Sequence, residues 1–229
     1  MKPRLLRPTL FFVVCFAALI ALGVWQIERL AWKRGLLAQI AAAEAAAPVE
    51  LTDAAPQFTL LRAHGQIDPS RTARYLVEVR QTPRGERMGS RLIQPLRRAD
   101  GSIILVDRGW APDDDTDLAP PPQSVVGYAR RADRPGWFTP DDDLAHLHFY
   151  TLDPARIGAA MGLKRVAPFV LVALGHAPLG HAPAGQFPVP AEHLPRPPND
   201  HLNYALTWFA LATALAGVYL AWLRKALRT

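Results

Sequence analysis

Two stretches of this sequence carry no charge for the length of a membrane. They are residues 8–27, "PTLFFVVCFAALIALGVWQI", and residues 201–223, "HLNYALTWFALATALAGVYLAWL", with histidine counted neutral. A helix rises about 1.5 Å per residue and the hydrocarbon layer is about 30 Å thick, so each run is long enough to cross. Two crossings put residues 28–200 on one side of a bilayer as a single domain and leave short tails, 1–7 and 224–229, on the other.

The first run also meets part of the description of a signal peptide, because Lys2, Arg4 and Arg7 precede it. It is longer than a usual signal core, however, and "LGVWQIERLAWK" offers no small-x-small cleavage site near Trp25 or Trp32. It therefore reads as a retained anchor. A mitochondrial transit peptide needs an amphipathic Arg- and Ser-rich lead, and only seven residues precede Pro8. The setting expected is a bacterial inner membrane.

The formal net charge of +6 invites a nucleic-acid partner until its distribution is examined. Lys2, Arg4, Arg7, Arg224, Lys225 and Arg228 make up the whole excess, and the segment between the runs is formally neutral. The charge gives no reason to expect a nucleic-acid partner, and the positive-inside rule places both tails in the cytoplasm and the domain in the periplasm. Arg29, Lys33 and Arg34 pull the other way. The single cysteine, Cys15, lies within the first run, so neither a disulfide nor Cys-x-x-Cys-His haem attachment is available. It reads as a small apolar residue.

Past the first run the helix should continue through "ERLAWKRGLLAQIAAAEAAA" until Pro48. Strand patterns follow. "RYLVEVR" alternates, with Tyr75, Val77 and Val79 on one face, and "SRLIQPLRRADGSIILVDRGW" reads as a hairpin turning at Asp100 and Gly101. "QFTLLRAHGQ", "QSVVGYARR", "LHFYTL" and "RVAPFVLVAL" are further strand candidates, and "DPARIGAAMG" a short helix capped by Asp153 with Pro154 in its first turn. The fold class expected is a membrane protein: two transmembrane helices enclosing a mainly antiparallel β (α+β) extracytoplasmic domain, sheet or barrel. Residues 175–198, rich in Pro and Gly, read as an irregular tether into the second span.

Several constellations have an ordinary explanation. Asp113, Asp115 and Asp117 imitate a calcium loop, but Leu118 stands where glycine is needed and Ser124 where a bidentate glutamate is needed, so "DDDTD" reads as an acidic surface loop. Asp141, Asp142 and Asp143 read likewise. His146 and His148 would share a strand face, and His176, His181 and His193 lie in the tether; solvated histidines are the simpler account of both groups. No nucleophile elbow, Walker loop or His-Glu-x-x-His motif is present.

The membrane ends differ. His201, Tyr204, Ala205 and Trp208 fall on one helical face, and Leu22, Trp25, Gln26 and Arg29 repeat that spacing on the first helix, with Lys33 one turn further on. Interfacial aromatics, a capping Asn199 or Asp200 and a snorkelling Arg29 account for much of this. Gln26 and His201 are harder to place, because polar groups at that depth face protein or a ligand.

"LGVWQIERLAWK", "VDRGWAP" and "NDHLNYALTWFALA" together resemble the Surfeit locus protein 1 family of cytochrome c oxidase assembly factors. The family often has Asn-Asn-His-Leu where this chain has Asn199, Asp200, His201 and Leu202. The resemblance covers essentially the whole chain. It implies an assembly factor without turnover of its own, binding haem a and passing it to the catalytic subunit of the oxidase, with His201 as the haem ligand. Neutral imidazole is a common axial ligand, Tyr204, Trp208 and Trp25 would flank the macrocycle, and Arg29 or Lys33 would pair with its propionates. A scaffold that docks on oxidase subunits without haem is the alternative. An extracytoplasmic sensor is a third, against which the short tails argue.

Overall fold

The computed structural model describes residues 3–52, 56, 58–82, 84–115, 117–175 and 187–228, the first two by backbone alone. In chain order the elements are α1 (Pro3–Ala45), β1 (Val49–Glu50), β2 (Leu60–His64), β3 (Gln66–Ile67), β4 (Ala73–Thr82), β5 (Gly85–Arg97), β6 (Ile103–Pro112), β7 (Ser124–Arg131), β8 (His148–Phe149), α2 (Pro154–Ala160), β9 (Val166–Ala173) and α3 (His201–Arg228). They form two compact units, Met1–Ala41 with Arg196–Thr229, and Ala42–Pro195.

In the first unit α1 and α3 are both long and apolar enough to cross a membrane. Shielded positions recur at intervals of three and four: Thr9, Phe12, Phe16, Leu19, Gly23 and Gln26 on α1, and His201, Ala205, Trp208, Ala212, Leu215 and Tyr219 on α3. That rhythm gives one packing stripe per helix. The Thr9 and Tyr219 hydroxyls are 2.8 Å apart, Phe12 stacks on Tyr219 with centroids 4.0 Å apart, and a Cβ at Gly23 would meet the Phe209 ring at 2.5 Å. Later residues of α1 meet earlier ones of α3, so the helices run antiparallel. Leu10, Phe11, Val14, Leu206, Val218 and Leu220 point away from the stripes and are exposed. Apolar side chains on every face are what a helix in hydrocarbon carries and a helix in water avoids.

The second unit is a nine-stranded mixed sheet that forms a circuit through the continuous β2–β3 segment. β2 and β3 are separated only by Gly65; β2 pairs with β7 and β3 pairs with β5. The circuit is completed by β7 with β9, β9 with β6 and β6 with β5. Gly65 is required at the corner, because a Cβ there would lie 2.4 Å from the Arg97 carbonyl oxygen. Leu61, Ala63, Ile67, Leu96, Ile104, Val106, Val125, Ala129 and Leu171 form one core with residues from every strand of the circuit, as the inside of a barrel does. A second core, with Tyr75, Ile93, Leu105, Phe149, Leu152, Ile157 and Val170, lies beneath α2. β6 and β9 supply alternate residues to both cores, and β6 is buried along its whole length. Most ladders are antiparallel, but β6 and β9 run parallel. Sequential strand patterns alone do not announce that pairing, since a parallel neighbour needs a long crossover.

The short helix is capped by Asp153 with Pro154 at its start, and the β5–β6 hairpin turns through Gly101 at φ +78°. "RYLVEVR" departs from simple alternation. Leu76 adopts φ +56° and the β4–β5 register shifts between Tyr75 and Glu78, so Tyr75 is buried while Val77 and Val79 are exposed. One irregular residue exchanges the faces of those that follow. "LHFYTL" gives only the two-residue β8. Of the stretch read as a tether, residues 187–195 are held against the sheet: Trp110 and Val189 exchange backbone hydrogen bonds of 2.9 and 2.7 Å, Ala191 N donates to Ala173 O, and Leu194 is buried.

Candidate functional site

At the start of α3 the Asp200 carbonyl accepts the first helical bond, from Tyr204 N, and the helix begins at His201. The His201 imidazole then faces α1. Its Nδ1 lies 2.7 Å from Oε1 of Gln26, a side chain only 8% exposed. The structure thus joins the two polar residues that an interfacial account leaves over. Helical spacing fixes which residues surround them. Ala205, one turn on, is buried and lets the helices approach, and Gly23, one turn before Gln26, admits the Phe209 ring.

The other candidates sit around this contact differently. Trp208 is half-buried, and its Nε1 is shielded from solvent without a hydrogen-bond acceptor; Asn199 Oδ1 is likewise buried without a donor. Spacing places Trp208 on the His201 face, but it conveys neither the unsatisfied state of its N–H nor the buried Asn199 oxygen. Tyr204 is 57% exposed and Trp25 53% exposed, both turned away from the helix–helix stripe. The Arg29 guanidinium lies 4.1 Å from the Trp32 ring centroid, a cation–π contact within α1. Lys33 is half-buried.

A porphyrin's demands can be compared with this donor set. Gln26 oxygen can only accept, so it calls for a proton on Nδ1 and leaves the Nε2 lone pair outward; no described residue bonds to Nε2. The unsatisfied Trp208 N–H suits a carboxylate acceptor. One imidazole with an unpartnered nitrogen and one free indole donor match the donors a singly ligated haem uses, whereas Tyr204 and Trp25 point away from the helix–helix stripe. Among the described residues there is no cluster of three or more His, Cys, Asp or Glu that would hold a metal ion.

The acidic and histidine groups of the second unit have structural partners. Asp113 pairs with Arg74 at 2.6 Å and accepts from Ser90 Oγ, and Arg87 bridges Asp114 and Asp115. Asp115 Oδ1 also accepts from Asp117 N. Asp142 binds Arg156 and caps Tyr150 N; Asp143 binds His146 Nδ1 at 2.7 Å. His148 contacts the Leu76 carbonyl and stacks on Tyr150, so His146 and His148 engage different partners. His193 Nδ1 contacts the Leu194 carbonyl oxygen. His176 and His181 lie outside the described residues.

"VDRGWAP" has a structural logic of its own. Asp107, fully buried, takes Arg91 Nε at 2.6 Å on one oxygen and Gly109 N at 3.0 Å on the other. Burial acts to lower the Arg91 pKa, but the charge and hydrogen bond of Asp107 outweigh it and hold the guanidinium above its ordinary value. Arg108 is also buried, with only neutral acceptors: Gln94 Oε1 and the Ala119 and Pro120 carbonyls. Burial lowers its pKa. Gly109 has φ +116°, and a Cβ on it would lie 2.0 Å from Val189 O.

The SURF1 family profile matches residues 13–213, from within α1 through the sheet into α3. The SURF1-like protein of Rickettsia conorii is 28% identical over 220 residues, which are 93% of this chain and 89% of that one. The SURF1-like protein of Drosophila melanogaster is 28% identical over 235 residues, 89% of this chain and 73% of the fly protein. The Surfeit locus protein 1 of Mus musculus is 26% identical over 242 residues, 95% of this chain and 75% of the mouse protein. With the profile running from within one long helix, through the whole sheet and into the other helix, the chain belongs to the SURF1 family.

Proposed function

We propose that this protein is a membrane-anchored assembly factor for haem-copper cytochrome c oxidase, which binds haem a at His201 and delivers it to the catalytic subunit. Family membership supports the assembly role. The observation that carries the haem reading is the Gln26–His201 contact, an imidazole oriented between two membrane-length helices with Nε2 turned out from its partner. Both helices lie in a bacterial inner membrane, with the basic tails in the cytoplasm and the mixed sheet in the periplasm. No catalytic turnover is invoked. A carrier has to give up its cargo, and a single axial ligand suits release better than two.

The test is the absorption spectrum and extractable haem of the detergent-purified protein supplied with haem a. Wild type should retain haem, and His201→Ala should lose most of it; equal retention by the two removes His201 from the site. A second reading, a scaffold docking on oxidase subunits without haem, draws on a different feature. Trp137 and Phe138 are fully exposed at the tip of a turn closed by a hydrogen bond from Thr139 N to Gly136 O. Exposed aromatic pairs suit protein contacts. Background haem content together with subunit capture lost on Trp137→Ala would favour the scaffold.

A further inference from the structure

We infer that Gln26 is a positioning residue: its side-chain oxygen fixes His201 as the Nδ1–H tautomer and thereby makes Nε2 the nitrogen that meets iron. This rests on the haem reading of His201. A neutral imidazole has one donor and one acceptor nitrogen, and the partner of one decides the role of the other. Here Nδ1 faces Gln26 Oε1 at 2.7 Å, an atom with lone pairs and no proton.

Packing alone would not select glutamine at this place. Residue 26 is buried within an uncharged stretch of α1, where an aliphatic side chain of similar size would fill the same volume without the cost of burying an amide. The amide is retained by its hydrogen bond to the ring. Gly23 sets the reach: with the Phe209 ring against its backbone, the helices come near enough at residue 26 for a direct bond. An amide also differs from the carboxylate that often holds a metal-bound histidine. A carboxylate would raise the basicity of the ligand and strengthen its bond to metal. A neutral acceptor orients the ring while keeping the bond to cargo weaker, as delivery requires.

The inference has a readout that needs no haem. Full-length protein in detergent, labelled with 15N-histidine and with its His201 signals assigned by their loss in His201→Ala, is measured in alkaline buffer. The two ring-nitrogen shifts should report Nδ1–H in the wild type and a change toward Nε2–H in Gln26→Leu. A wild-type Nε2–H tautomer, with the Gln26 amide nitrogen turned to the ring, overturns the inference; so does a tautomer unchanged in Gln26→Leu. Titration with ferric haem a is the second arm. Gln26→Leu should bind 10–100-fold more weakly, the usual effect of losing such a partner, whereas Gln26→Glu should bind more tightly and lower the haem midpoint potential. Gln26→Glu keeps an acceptor, so it reads the same geometry should Gln26→Leu fold poorly. If His201→Ala binds haem as well as wild type, the haem reading fails while the tautomer measurement still stands or falls by itself.

Discussion

Replacing Gly109 by alanine should be among the most damaging single-methyl additions to the sheet unit. The new Cβ would lie 2.0 Å from Val189 O, 2.3 Å from Val189 C and 2.6 Å from Pro190 Cα, all backbone atoms with no rotamer to swing aside. The φ of +116° adds strain of about 1–3 kcal/mol for an L-residue. Relief requires the segment around Val189 to lift away from β6. That would break both hydrogen bonds between Trp110 and Val189, worth about 1 kcal/mol each, and the edge-on contact of Phe187 with Trp110, worth about another. The expected loss is about 4 kcal/mol, a large part of the stability of an ordinary domain. Urea unfolding of the full chain in detergent, followed by tryptophan fluorescence, measures it, and limited proteolysis reports release of residues 187–191. Gly101→Ala is the control: φ is +78° but nothing lies within 4 Å of a new Cβ, so only the backbone penalty of about 1 kcal/mol should appear. A Gly109→Ala protein within 1 kcal/mol of wild type, with residues 187–191 still protected, would refute the steric reasoning.

The buried ion pair and an exposed carboxylate give two further expectations. Asp107→Asn should cost about 3–5 kcal/mol by stranding Arg91, whereas Arg91→Met combined with Asp107→Leu should cost less than the single change; thermal unfolding of the wild type and the two variants decides, and a double variant less stable than Asp107→Asn would contradict the pairing. Asp100 is held below its ordinary pKa by the Ser102 hydroxyl and then its backbone N–H. Its contribution to the β5–β6 turn should therefore be complete above pH of about 4 and fade as pH falls through the depressed value. Ser102→Ala should raise the Asp100 midpoint in a carboxyl-carbon NMR titration, and an unmoved midpoint would remove the hydroxyl as the cause.

The two long helices are legible because hydrocarbon imposes one simple demand, an uncharged run of sufficient length. The capped helix at Asp153 and the turn at Gly101 are legible because their chemistry is local. Closure of the sheet is not: it depends on Gly65 bending one chain segment between two partners, and nothing within a few residues of Gly65 encodes β5 or β7. The irregularity at Leu76 hides for the same reason, since its alternating neighbours predict a straight strand. At the candidate site, helical periodicity puts Gln26 and His201 each on one face of its helix, but only packing through Gly23 and Ala205 makes them partners. The unsatisfied atoms of Asn199 and Trp208 depend on burial, which no spacing conveys.

The strand β6 acts as a party wall. Ile104 and Val106 face one hydrophobic chamber and Leu105 the other, so neither chamber can be opened without removing a side of its neighbour. The barrel and the annexe under α2 should consequently melt in a single transition. A deletion of one residue in this strand would swap the tenants of both rooms at once, which leaves β6 far less freedom to vary in length than the loops at its ends.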